Sequence, residues 1–422
     1  MTLYTRRALI LFVVAVVTRG ACFLVFGHKA TIDYIDGEDY YHAAQLMRSG
    51  WEWLSMPVAD REPLYPLLMA VADVFPGPVM KPLQLLQVLL GAATTVGVYL
   101  GLRSVTRESV ALVSAILVAV SPRFCFLVTV PMRENLVIPL LAGAILITIH
   151  SARQFKLSKV FLSSLMFVLL LHTDTRFLPF LFVLPCMALI VNRSWQLTGR
   201  LFGWSLLFFV ILMLPYQLRN FIAFNKLVIV TERVLEASIP TFSRRAGSDE
   251  NVRVAWLQQW EAEKKAHLDQ LSRQEREYFL AGARPAIDRL EVYWVQFLEY
   301  WRFLQLAPLY RPYRDGRFEA PWTLSHNIAS ALVIVPFLVL LPFAWRRTTE
   351  LERRLLFAIF LFLAAHTFLH VVVHARERYR LPAEVFILTV VALSLVGLFS
   401  WFREWRSHEK RLQAELSHGL TS

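Results

Sequence analysis

Long apolar runs recur through this chain, and they constrain its fold more than any other feature. A helix crossing a bilayer needs roughly 20 mostly apolar residues, and in hydrocarbon every backbone polar group must be bonded within the protein. Ten such runs are legible, at about 7–27, 81–102, 109–123, 134–150, 158–172, 177–192, 201–217, 326–344, 355–373 and 381–402. The expected fold class is therefore an all-α polytopic membrane protein with about ten transmembrane helices and additional extracytoplasmic amphipathic helices. A hydrophobic content of 56% and a mean hydropathy of +0.47 agree. The first run, Ala8–Phe26, lacks a small-x-small cleavage site and reads as a retained helix.

Between the first two runs lies a mixed segment, 28–80. It holds an amphipathic helix near 39–50 and the short apolar piece PLYPLLMAVADVF, which is too short to span and reads as interfacial or re-entrant. A second polar stretch, 218–325, reads as two or three amphipathic helices at the membrane surface. The chain thus divides into an N-terminal bundle 1–217 that includes the first outer loop, an extracytoplasmic helical insert 218–325, C-terminal membrane helices 326–402 and a basic tail 403–422.

The formal net charge is +12. In a soluble protein this would raise nucleic acid as a partner, but here the basic residues fall in alternate short loops. Arg6 and Arg7, Arg103 and Arg107, Arg153 and Lys156, Arg193 and Arg200, Arg346 and Arg347, and the tail all share one side if the N-terminus is cytoplasmic. Both termini are then expected inside a cell membrane, and nucleic acid is not an expected partner. Cys22, Cys125 and Cys186 lie in apolar segments at no metal-like spacing, so no disulfide framework is expected.

The other side collects charges of both signs. IDGEDYYHAA carries Asp36, Glu38 and Asp39, and Glu134 opens the fourth run. Asp174 and Arg176 lie in LHTDTRFLP, Arg219 in PYQLRNF, and Arg376, Arg378 and Arg380 in HARERYRLP. Charges at the lip of a helix bundle are costly against lipid and usually face a cavity. Arginine forks match phosphate oxygens, and a carboxylate beside a hydroxyl serves as a general base. Together these groups suit displacement at a carbon bearing a phosphate leaving group, with arginines stabilising the departing anion. Outside the cytoplasm such a phosphate has to be carried by a lipid.

Each residue also has a plainer reading. The three acids suit a helix N-terminus. Glu134 could pair with Arg133, Asp174 with Arg176 and Arg376 with Glu377, while Arg219 could snorkel to the headgroups. His366, His370 and His374 share a helix face, where they could line a cavity, hold zinc or reach the donor phosphate. A divalent cation, Mg or Mn, is a candidate cofactor held by Asp36, Glu38 and Asp39.

Six elements in order resemble the GT-C superfamily of membrane glycosyltransferases that use polyprenyl-phosphate sugars. The nearest branch is family 39-like, with the protein O-mannosyltransferases and the lipid A aminoarabinose transferase. The elements are Asp36 with Tyr40 and Ala44; REPLYPLL with Arg61; Glu134; Arg176; PYQLRN from Pro215 to Asn220; and RYRLP from Arg378 to Pro382. The resemblance implies inverting transfer of a sugar from a polyprenyl-phosphate donor to an acceptor hydroxyl on a glycan, lipid or protein. It places Asp36, Glu38 and Glu134 as catalytic candidates and Arg378, Arg380, Arg219 and Arg176 as donor-phosphate ligands. Tyr40, Arg61, Asp174, His370 and His374 are further substrate-binding candidates. The family's acid pair is adjacent, whereas Gly37 intervenes here, so either Asp36 or Glu38 could touch the acceptor.

Two other classes compete. A transporter or flippase of lipid-linked saccharides usually shows internal repeats and mid-membrane charges. Here no repeat is visible, and Arg19 is the main charge within a span. An outer-face glycan ligase or polymerase would use arginines in a large outer loop without needing the first-loop acid.

Overall fold

The computed structural model describes residues 3–27, 32, 36–48, 62–224, 297, 301, 339, 342, 345–373 and 377–419. Among these residues every extended element is a helix and there is no strand. Six helices are long and apolar enough to cross a membrane: α1 (Leu3–Phe26), α4 (Met80–Leu102), α7 (Glu134–Arg153), α10 (Trp195–Phe224), α11 (Glu350–Val373) and α12 (Leu381–Gly419). Three shorter apolar helices run between them: α5 (Glu108–Val120), α8 (Leu157–Leu171) and α9 (Phe180–Asn192). The chain is a multi-pass membrane protein. These nine helices fall on nine of the ten expected runs; the other, 326–344, lies almost wholly outside the described residues, as does the insert 218–325. α12 continues without a break across the expected start of the tail at 403.

α7 is the centre of the bundle and packs against α4, α8, α9 and α12. In its most apolar stretch 72% of residues are buried, against 17% in α1 and in α10, whose outer faces carry Leu9, Val13, Leu24, Val210, Leu214 and Ile222 toward lipid. Ion pairs and hydrogen bonds between helix ends define two distinct ends of the bundle. At one end lie the ion pairs Arg7–Glu108, Arg107–Glu352, Arg193–Glu350 and Arg347–Glu404. The opposite end gathers the start of α4, the start of α7, the end of α8 and the start of α12.

Near that opposite end the backbone leaves helical geometry inside the bundle. α5 has 13 residues, about 20 Å of helix at 1.5 Å per residue, short of the ~30 Å hydrocarbon core. It stops at Ser121, whose ψ of 119° is extended, and Pro122 begins the six-residue helix α6 (Pro122–Leu127). Carbonyls freed this way need donors, since no bulk water reaches them. Thr18 Oγ1 donates to the Ala119 carbonyl at 2.8 Å, and the Arg19 Nη atoms donate to Ala119 and Val118, both at 3.1 Å. Gln84 Nε2 donates to Thr129 at 2.7 Å and Gln87 Nε2 to Val128 at 2.8 Å. Asn135 Nδ2 reaches the Leu127 and Met132 carbonyls. Side chains from α1 thus hold the end of α5, and buried side chains from α4 and α7 stiffen the irregular segment 128–133 that leads to Arg133 and Glu134.

Candidate active site

The first outer loop is anchored on that segment. Helix α2 (Gly37–Arg48) follows Asp36, whose carbonyl accepts from the Tyr40 N–H at 3.2 Å. A Cβ at position 37 would lie 2.2 Å from the Ile32 carbonyl oxygen and 2.7 Å from Pro131 Cγ, so only glycine lets the start of α2 approach Pro131 this closely. Gly37, which separates the acids in the sequence, is therefore the contact that sets Asp36 beside the 128–133 segment. Asp36 is half-buried, whereas Glu38 and Asp39 are exposed on the first turn of α2. Among the described residues no group of three His, Cys, Asp or Glu side chains could hold a metal, so these three acids do not form a cage.

Tyr40 is buried and packs edge-on against Tyr65 of α3 (Leu64–Ala72), with ring centroids 5.0 Å apart. The Tyr65 hydroxyl donates to Gln87 Oε1 at 2.7 Å, which ties the tyrosine pair to the residue bracing Val128. Glu134 is buried at the first position of α7, within electrostatic reach of Tyr65 and Arg133.

Arg133 also reaches two other acids. Its Nη1 donates to Glu62 at 2.9 Å, and its Nη2 lies 3.4 Å from Asp174. Glu62 also accepts from the Thr175 N–H and hydroxyl at 3.3 and 3.1 Å. Asp174 takes the Nε and Nη2 of Arg176 at 2.8 and 2.5 Å, and its Oδ1 accepts from the Arg176 N–H at 3.2 Å, capping a 3-10 turn over Thr175–Phe177. Four charges alternate in a buried row: Glu62, Arg133, Asp174, Arg176. Burial alone would raise the Asp174 carboxyl, but Arg133 and Arg176 outweigh it and bring it down to about 2. Burial likewise opposes the Arg133 charge; Asp174, Tyr40, Glu62 and Glu134 outweigh it and hold the guanidinium above its usual value.

The row ends on the closing turn. The Arg176 guanidinium lies 3.9 Å from the ring centre of Tyr379, and Tyr379 stacks on His370 with centroids 5.2 Å apart and planes 22° apart. His366 follows, 4.5 Å from His370. The turn Glu377–Arg380 leads into α12, where Arg380 and Arg123 both pair with Glu384. On α10, Arg219 is buried and donates to Asn220 Oδ1 at 3.0 Å, while Tyr216 packs edge-on against His172.

Asp36, Tyr40, Glu134, Asp174, Arg176, Arg219, His370 and Arg380 therefore share one end of the bundle. Arg378 lies in the same turn as Tyr379 and Arg380. Arg61 and His374 lie outside the described residues. The pairing of Asp174 with Arg176 is present; Arg133 lies within electrostatic reach of Glu134 and also reaches Glu62 and Asp174. The sequence reading passed over Glu62, Tyr65, Arg123, Tyr379 and Glu384. Glu62 had a signal, since an acid directly before Pro63 in a loop otherwise read for Arg61 sits where the chain re-enters the bundle.

No protein-family profile matches this chain, and no curated protein matches it in sequence. A solved structure does match: the archaeal oligosaccharyltransferase AglB from Archaeoglobus fulgidus, in complex with an inhibitory peptide and a dolichol-phosphate. The match has a TM-score of 0.54 at 13% identity and covers 97% of this chain. The fold is GT-C-like. The chain spans about half the length of that neighbour, 52% of it.

Proposed function

We propose that the protein is an integral-membrane glycosyltransferase that moves a sugar from a polyprenyl-phosphate donor to an acceptor hydroxyl on the extracytoplasmic face. The observation that carries this reading is the meeting, at one end of a GT-C-like bundle, of the half-buried Asp36, the buried acid–arginine row and the arginines of the closing turn. The neighbour's dolichol-phosphate, a polyisoprenoid phosphate, supports the donor class. The family 39-like branch is the preferred relative, because the first-loop acid and the RYRLP turn both lie at this end.

In the proposed reaction Asp36 takes the proton of the acceptor hydroxyl as its oxygen attacks the anomeric carbon. The bond from that carbon to the phosphate oxygen breaks, and its electron pair leaves with the phosphate. The product is inverted, and no second acid is required, because the phosphate departs as an anion. Glu38, exposed one turn position away, is the weaker candidate for the base, and Glu134 tunes the floor of the site through Tyr65 and Arg133. Arg378 and Arg219 are proposed as the principal phosphate ligands. Arg176 already gives two donors to Asp174, and Arg380 is engaged by Glu384, so both contribute chiefly field and framing. Tyr40, Arg61, Asp174, His370 and His374 complete the proposed substrate surroundings. A divalent ion is not needed for this chemistry. The basic end, placed inside by its arginines, puts both termini in the cytoplasm.

Mass spectrometry of envelope glycans and lipids from a deletion strain tests the proposal. A product lacking one sugar, with the polyprenyl-phosphate donor accumulating, is the expected result. The same truncated product with the lipid-linked saccharide confined to the inner leaflet would instead support a flippase.

A further inference from the structure

The cysteines are far apart in the sequence, yet the fold brings Cys22 of α1 against Cys125 of α6. The Ala119 carbonyl, freed by the break after α5, is the point on which they converge. It accepts from Thr18 Oγ1 at 2.8 Å, from Arg19 Nη1 at 3.1 Å and from Cys125 Sγ at 3.5 Å. Cys22 follows Thr18 by one turn on the same face of α1. One turn further along that face, Phe26 meets Phe126, the neighbour of Cys125, edge-on with ring centroids 5.9 Å apart. Cys22 is thus held between two fixed contacts that flank Cys125.

The two thiols lie within side-chain hydrogen-bonding reach of each other, and the Arg19 guanidinium lies within electrostatic reach of both sulfurs. A neighbouring cation favours the thiolate, which is the form that attacks in disulfide chemistry. Cys125 is buried and Cys22 only half-buried, so one of the two sulfurs can be approached from outside the bundle. The third cysteine, Cys186, is exposed on α9.

We propose that Cys22 and Cys125 form a redox-active dithiol that closes to a disulfide joining α1 to α6. The oxidant is a small two-electron acceptor, a quinone or an azo compound. Two S–H bonds break and one S–S bond forms. The two electrons and two protons pass to the oxidant, which leaves as a hydroquinone or a hydrazine. Both sulfurs lie toward the end of the bundle that carries the candidate active site, which the proposed topology turns to the more oxidising compartment. The closed form ties the last turn of α1 to the helix that feeds segment 128–133. The pairing stands whether or not the protein is a glycosyltransferase.

The test is thiol counting on the full chain in nanodiscs. The protein is treated with diamide, an azo oxidant, or with dithiothreitol, and is then unfolded, alkylated with N-ethylmaleimide and mapped by mass spectrometry. Reduced protein should take up three labels, one for each cysteine. Diamide-treated protein should take up one label, on Cys186, and its peptide map should contain a cross-link between Cys22 and Cys125. Cys125→Ser keeps two thiols, and both should remain alkylatable after diamide. Three labels on the native chain after diamide, a cross-link that includes Cys186, or a loss of label in Cys125→Ser overturns the pairing.

Discussion

At the basic end of the bundle, Arg193 meets Glu350 with the two side chains 64% and 50% exposed. At the opposite end, Arg133 meets Asp174 with 12% and 3% exposed. Both contacts join an arginine to a carboxylate, yet they do different things. An exposed pair in high dielectric contributes little and is screened by salt. A buried row contributes little net stability beside an apolar replacement, but deleting one member strands the others. The exposed pairs at the basic end thus do little to hold the bundle together, while the opposite end uses buried charge to hold geometry. Glu62 brings the first loop, Arg133 the start of α7, and Asp174 and Arg176 the tip after α8 into one row that ends on the closing turn.

The largest effect that separates the two ends is expected for Arg133→Met. It leaves Glu62 and Asp174 buried without their shared cation, and the expected loss is ~3–5 kcal/mol, read as a lower thermal midpoint in nanodiscs. A double variant that also converts Glu62 to Gln should recover part of it, and failure to recover would show that the row is not a unit. Next comes pH. The Asp174 carboxyl is depressed in the folded protein, so its stabilisation is complete above its ordinary value of 3.8 and disappears as pH falls toward about 2. The midpoint should drop across that window in the native chain, and Asp174→Asn should flatten the drop. Tyr379→Leu removes the ring beneath Arg176 and should cost ~0.5–2 kcal/mol, with Tyr379→Phe retaining most of the stability. Smallest of all, Arg193→Ala should leave the midpoint unchanged within error, and a clear loss there would erase the contrast between the ends.

Much of the fold was legible because hydrocarbon imposes one rule on every span. Apolar runs near 20 residues located α1, α4, α7, α10, α11 and α12 well, and α2 and α3 were visible as a short amphipathic helix and an apolar piece too short to span. The break after α5 was not legible. Ser121 and Pro122 mark it, but the donors that make it tolerable come from α1, α4 and α7 and are distant in sequence. Of the site, the charged residues could be assigned to one side by counting spans. Their partners could not, because Arg133 finds Glu62 and Asp174 only through the tertiary path of three loops. Gly37 was read as an interruption of an acid pair, and its use as the close contact with Pro131 needed coordinates.

Asp36→Asn addresses the central claim most directly, with transfer and donor binding measured separately on the purified full chain. General-base loss should reduce transfer by about 10²–10⁴-fold while the affinity for a polyprenyl phosphate stays near native. Transfer at the native rate, or loss of binding in step with loss of transfer, would contradict the placement of Asp36 as the group that takes the acceptor's proton.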